Sequence, residues 1–149
     1  MWIRTSVIPA MLALGSIVNA AGASDLRGAW QAENYIMKGG QISYPVRGLI
    51  IFSDKDFAEL FLTIKDGAVV RGSGEGGFYE TSGDKLVLFH RFFAGPEFAA
   101  IPGLKAQEAE AKFNDPPKRE EATYRIDGDR LTISFGPSGN TLTWIRSSK

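Results

Sequence analysis

His90 is the only histidine among the 149 residues. It is the first side chain to consider for chemistry, because imidazole changes charge near neutral pH and can pass a proton or hold a polar ligand group. It stands in Lys85-Leu86-Val87-Leu88-Phe89-His90-Arg91-Phe92, where strict alternation puts Leu86, Leu88, His90 and Phe92 on one face and Val87, Phe89 and Arg91 on the other. The leucine face is expected to point inward, with His90 near one end of it. The spacing supplies no partner for catalysis, neither a Ser-His-Asp order nor a second histidine. A hydrogen-bonded core histidine is the structural alternative. Two further polar residues fall on faces expected to be interior: Asn34, in phase with Trp30 and Ala32, and Tyr124, in phase with Ala122 and Ile126. A few polar groups in an otherwise apolar interior make a small-molecule pocket. The candidate ligand-binding set is therefore Asn34, Phe52, Leu62, Leu88, His90 and Tyr124, and no residue is assigned as catalytic.

Other chemistries are excluded by composition. With no cysteine, disulfides, thiol redox chemistry and thiolate–metal sites are impossible. One histidine and no carboxylates clustered at ligand spacing give no metal site, and no cofactor motif is present. The 17 basic and 17 acidic side chains balance, whereas a nucleic-acid partner rewards a concentrated basic face. The glycines from Gly72 to Gly77 lack the lysine and the strand-to-helix context of a phosphate loop and read as a mobile connection. Lys118-Arg119-Glu120-Glu121 reads as a solvated run of mixed charge.

Residues 1–23 read as a secretory signal: Arg4 is the basic head, Val7 to Val18 the apolar run, and Val18-Asn19-Ala20 or Ala21-Gly22-Ala23 a small-residue cleavage site. The run is too short to cross a bilayer as a helix, so no integral membrane segment is expected once it is removed. The product would be exported, periplasmic or extracellular. Residues 24–149 suit one domain with a single core.

That domain alternates throughout. Strands centre on Trp30, Ile50, Leu60, Phe78, Leu88, Tyr124, Ile133 and Trp144, separated by turns such as Asp127-Gly128 and Ser82-Gly83-Asp84. In the third strand Ala58, Leu60, Leu62 and Ile64 form a wholly apolar face expected to point inward. Phe57, Glu59, Phe61 and Thr63 are then left outside, with Glu59 solvated or paired across strands. Residues 104–113 (LKAQEAEAKF) have good helix propensity and are expected to form one short surface helix between strands 5 and 6. The long irregular stretch around it, residues 93–119, is a candidate lid or binding loop. The predicted fold is all-β, an eight-stranded antiparallel up-and-down barrel in which closure removes the sheet edges. A sandwich is the alternative.

Gly28-Ala29-Trp30 resembles the Gly-x-Trp that opens the first strand of lipocalins and related calycins. Pro45-Val46-Arg47-Gly48-Leu49-Ile50-Ile51-Phe52-Ser53-Asp54 is similar to the second strand of small bacterial lipocalin-like domains. Where that pattern has an aspartate-glycine turn, this chain has Lys55-Asp56. The resemblance implies a barrel closed at one end by Trp30 stacked under a basic side chain of the last strand, here Arg146, together with a habit of binding small apolar molecules. It carries over no catalytic residue. The expected function is binding of one small apolar or amphipathic molecule inside the barrel. The rivals are an isomerase or cyclase using His90 or Tyr124, and a solid-cored interaction module that meets another protein through Phe57, Phe61 and the 104–113 helix. An eight-stranded barrel can be either packed or hollow enough for one ligand.

Overall fold

A computed structural model describes residues 26–148, and the signal reading over residues 1–23 lies outside them. The described chain forms eight strands: β1 (Gly28–Ile36), β2 (Ser43–Phe52), β3 (Asp56–Lys65), β4 (Ala68–Ser82), β5 (Lys85–Gly95), β6 (Glu110–Asp127), β7 (Arg130–Phe135) and β8 (Thr141–Arg146). Each pairs antiparallel with the next and β8 pairs with β1, so the sheet closes into a barrel in chain order. The sandwich alternative is thereby set aside.

Among the described residues there is no helix, which corrects the expectation for residues 104–113. Propensity lost to pairing: the edge of β5 is long enough that Phe93, Ala94 and Gly95 take Lys112, Ala111 and Glu110 as partners. An isolated helix of this length is marginal in water, so strand hydrogen bonds prevail. The segment before β6 folds as a loop tied by the Phe98↔Gln107 and Ile101↔Leu104 bridges. Leu104 joins Met37 and Tyr44 in a small satellite cluster, and the Tyr44 hydroxyl donates to Pro102 O at 2.7 Å.

The glycine-rich segment 72–77 is likewise no loose connection but the middle of β4. Glycine is needed here for close approach, since a Cβ on Gly77 would stand 1.9 Å from Phe89 O of β5. Gly48 has φ +132°, and a Cβ there would meet Leu60 O at 1.9 Å. At both points the backbones approach so closely that no side chain fits between them.

One half of the barrel is solid. Trp30, Trp144, Phe52, Ile50, Leu86, Leu88, Leu131 and Ile133 are each no more than 2% exposed and belong to one cluster with Tyr79, Tyr124 and Phe57. Strand β3 reverses the expected phase: Phe57 and Thr63 are buried, whereas Leu60 is 48% exposed. Leu60 pairs with Leu49, and Ala58 with Ile51, so the apolar face of β3 continues that of β2 on the outer wall. Leu60→Thr is accordingly expected to change stability by no more than about 0.5 kcal/mol, as at ordinary surface positions. Urea unfolding checks this; a loss of about 2 kcal/mol or more, as for a core leucine, would return Leu60 to the interior.

Candidate functional site

The other half of the barrel interior is hollow and polar. A cavity of about 280 Å³ is lined by side chains from seven strands, including Tyr35, Glu59, Phe61, Ser73, Glu75, His90, Phe93 and Glu120, with Gln107 added by the loop before β6. The depth of each follows from register. Glu59 pairs with Glu75, Phe61 with Ser73 and Thr63 with Arg71, so successive inward residues of β3 and β4 pass from carboxyls through a ring and a hydroxyl to a guanidinium. On β6 the inward sequence from the packed half is Tyr124, Ala122, Glu120 and Lys118, the last two in the cavity wall.

Two irregularities bring these groups together. A bulge in β1 between Ala32 and Asn34 shifts the phase, so Tyr35 rather than Asn34 lines the cavity. A bulge in β5 between His90 and Phe92 turns Phe92 out and Phe93 in. Across that bulge the Asn114 side-chain amide donates to His90 O at 3.0 Å, tying β6 to β5 where the ladder is interrupted. The Asp115–Pro116 peptide that follows is cis.

His90 sits between two carboxylates. Its Nε2 is 3.1 Å from Glu120 Oε2 and its Nδ1 is 2.9 Å from Glu75 Oε2. The Nδ1 contact is an ion pair at short range whose geometry does not make an aligned hydrogen bond. Glu75 is steadied from its other oxygen by the Ser73 hydroxyl, which donates at 2.8 Å, and the Phe57 ring meets the imidazole edge-on at 5.3 Å between centroids. Burial works against a charge on His90, but the bonds and charges of Glu120 and Glu75 outweigh it and raise the pKa to about 9. The ring is therefore an imidazolium at neutral pH with both nitrogens protonated. For Glu75, burial is outweighed by the close contact and charge of His90 and the hydrogen bond from Ser73, and its pKa is lowered.

Glu59 behaves oppositely. The residue is half-buried overall, but its carboxyl Oε1 is closed off from solvent and has no hydrogen-bond partner. Burial first, and then the negative charge of Glu75, push its pKa to about 8 despite the opposing effect of His90. At neutral pH it is a protonated carboxyl, able to donate a hydrogen bond or to ionise if a cation arrives. Arrays in which neighbouring titratable groups are driven apart in this way are commonest at functional sites.

Comparison of the chain with protein-family models, curated proteins and solved structures gives no match. The closed antiparallel eight-stranded barrel is itself consistent with a calycin-like architecture.

Of the six residues proposed from sequence as ligand contacts, His90 alone lines this cavity. Asn34 is half-buried outside it, displaced by the β1 bulge, which corrects the expected phase. Phe52, Leu88 and Tyr124 lie in the packed cluster. Leu62 is on the reversed face of β3, where its side chain lies over Gly72. Trp30 and Arg146 meet at the closed end, the guanidinium carbon 3.9 Å from the indole centroid.

The residues that sequence reasoning missed include the three glutamates, Tyr35 and Lys118. A signal existed for Glu120 and Lys118: both continue, in steps of two, the inward phase already assigned to Tyr124 and Ala122. Tyr35 depends on the β1 bulge, which period-2 reasoning does not register, whereas Glu75 keeps the inward phase of Tyr79 in β4 and was hidden because the glycine run around it reads as a loose connection. Among the described residues no group of histidine and acidic side chains is arranged to hold a metal ion.

Proposed function

We propose that this chain is an exported, lipocalin-like protein that binds one small amphipathic molecule in the open half of its barrel. The observation that carries the reading is the cavity of about 280 Å³, in which polar groups from five strands converge beside aromatic walls, above a half that is tightly packed. Its size is at the lower end for small-molecule sites, and its mixture of aromatic and precisely placed polar groups is that of such sites. Export is proposed from residues 1–23. The lipocalin-like assignment is supported by Gly28, Trp30 and Arg146 and by the strand order. A wholly apolar ligand suits this cavity poorly, because it would strand the Glu59 and His90 groups without water or partners.

The unusual protonation of Glu59 beside His90 favours a second reading, an isomerase or cyclase in which one of these groups moves a proton. Tyr124, enclosed in the packed half, has no place in that chemistry. The first test is native mass spectrometry of the protein purified from its own host, followed by extraction of any bound molecule. A stoichiometric small molecule is expected. A protein that is empty and also leaves environment-sensitive dyes dark would overturn the binding reading. If the isolated ligand is chemically converted on incubation, and His90→Gln abolishes the conversion while leaving affinity within about tenfold, the enzyme reading replaces the carrier.

A further inference from the structure

Resting on the reading of the cavity as a ligand site, the arrangement of charges narrows the ligand class. Three carboxyl groups, Glu59 on β3, Glu75 on β4 and Glu120 on β6, share the cavity with the His90 imidazole and, in its wall, with Arg71 of β4 and Lys118 of β6. His90 is committed to Glu75 and Glu120, at 2.9 and 3.1 Å. Glu59 is left opposite Glu75 in the β3–β4 ladder, a position where two like charges destabilise a sheet, and its buried Oε1 has no hydrogen-bond partner.

Among the described residues, the charges of Arg71 and Lys118 are not among those that act on Glu59. Arg71 lies towards the open end and donates to Lys105 O at 2.8 Å, and the charge of Lys118 acts on Glu75. The charges that reach Glu59 are those of Glu75, Glu120 and His90. From β1 the cavity receives the hydroxyl of Tyr35, held by the Asn140 amide at 2.9 Å, and the interior residues of β2, Val46, Ile50 and Phe52, are apolar.

We infer that the cavity takes a small organic amine, inserted ammonium first so that it pairs with Glu59, with its hydrocarbon part against Phe61, Phe93 and Tyr35. The ammonium places a positive charge directly beside Glu59, on which neither Arg71 nor Lys118 is among the charges that act, and aromatic faces favour a cation or a ring beside them. The proton balance is explicit. In the free protein at pH 7 Glu59 holds its proton and the amine in solution is already an ammonium. When the ammonium–carboxylate pair forms, the Glu59 proton leaves to solvent.

The test is isothermal titration calorimetry with three probes of one shape, benzylamine, benzyl alcohol and benzoate, in buffers of different ionisation enthalpy. Benzylamine is expected to bind at least about tenfold more tightly than either of the others. It should release about one proton at pH 7, and its affinity should rise about tenfold from pH 6 to pH 7. Glu59→Gln should abolish the amine preference and the proton release while retaining benzyl alcohol; if that variant does not fold, the proton count on the unaltered chain decides. Equal or tighter binding of the alcohol or benzoate overturns the amine assignment and leaves the cavity as a binding site. Amine preference without proton release removes Glu59 from the contact and overturns it too. If none of the three binds at millimolar concentration, the amine inference and the ligand-site reading fall together.

Discussion

Trp30→Ala should destabilise the barrel by about 3–5 kcal/mol and lower its melting temperature by about 10–20 °C. The indole is wholly buried and fills the closed end of the barrel with Trp144, Leu131 and Leu26. Its Nε1 donates to Leu26 O at 2.8 Å, tying the chain that leads into β1 to the core. Truncation would leave a large cavity, an unsatisfied carbonyl and an Arg146 guanidinium with no ring beneath it. Trp30→Phe separates these contributions, because it retains most of the ring and loses the hydrogen bond, for a smaller cost of about 1–2 kcal/mol. Arg146→Met should cost about 0.5–2 kcal/mol, the range of a cation–π contact. Thermal and urea unfolding of the three variants check the order. A Trp30→Ala shift of less than about 4 °C would mean that the packed half is held closed by something other than this side chain.

The same end of the molecule shows what the sequence makes legible. Trp30 and Arg146 lie in register as partners on β1 and β8, and the alternation that located them runs unbroken through β7 and β8, where Leu131, Ile133, Leu142 and Trp144 are all buried. Regular pleating preserves period 2, so phase assigned at one residue holds along the strand. A bulge adds one residue and exchanges the faces beyond it. That is why Trp30 is placed correctly by alternation and Asn34, four residues on, is not; Leu88 and Phe92 on β5 repeat the contrast.

Strand β3 failed for a different reason. Hydrophobicity identifies the inward face only where the interior is apolar, and the interior beside β3 is apolar at Phe57 and polar at Glu59. Its outward face, with Leu60, adjoins Leu49 and Ile51 of β2. A polar cavity inside an apolar outer wall inverts the usual signal. The candidate site was hidden by the same inversion, since its carboxyls lay in segments that resemble turns, solvent-facing strand and charged surface.

The inversion gives Glu59 a measurable signature in the pH dependence of stability. The folded-state pKa of Glu59 is about 8, above the ordinary carboxyl value of 4.5. Folded protein therefore binds more protons than unfolded protein between these limits, and stability falls as pH rises through the window. His90, raised from 6.5 to about 9, acts with the same sign: its contribution is fully present below pH 6.5 and is lost as pH rises through about 9. Glu75, whose pKa is lowered, contributes stability above pH 4.5 that is lost as pH falls below it. The unaltered chain should thus be most stable near pH 5 and decline steadily to pH 9.

Glu59→Gln keeps the shape of the side chain and cannot ionise. It should abolish the decline between pH 5 and 6.5, where Glu59 acts without His90, and leave the decline above pH 6.5 shallower. At pH 8 the variant should exceed the unaltered chain by on the order of 4 kcal/mol relative to their difference at pH 4.5, taking about 1.4 kcal/mol per unit over the window of Glu59. Urea unfolding at half-unit intervals from pH 4.5 to 9 measures both curves. Parallel curves would show that Glu59 is ionised normally in the folded barrel and that its carboxyl is open to water. Curves that converge on the acid side and separate through neutrality would establish a carboxyl kept neutral by its burial and by the charge of Glu75.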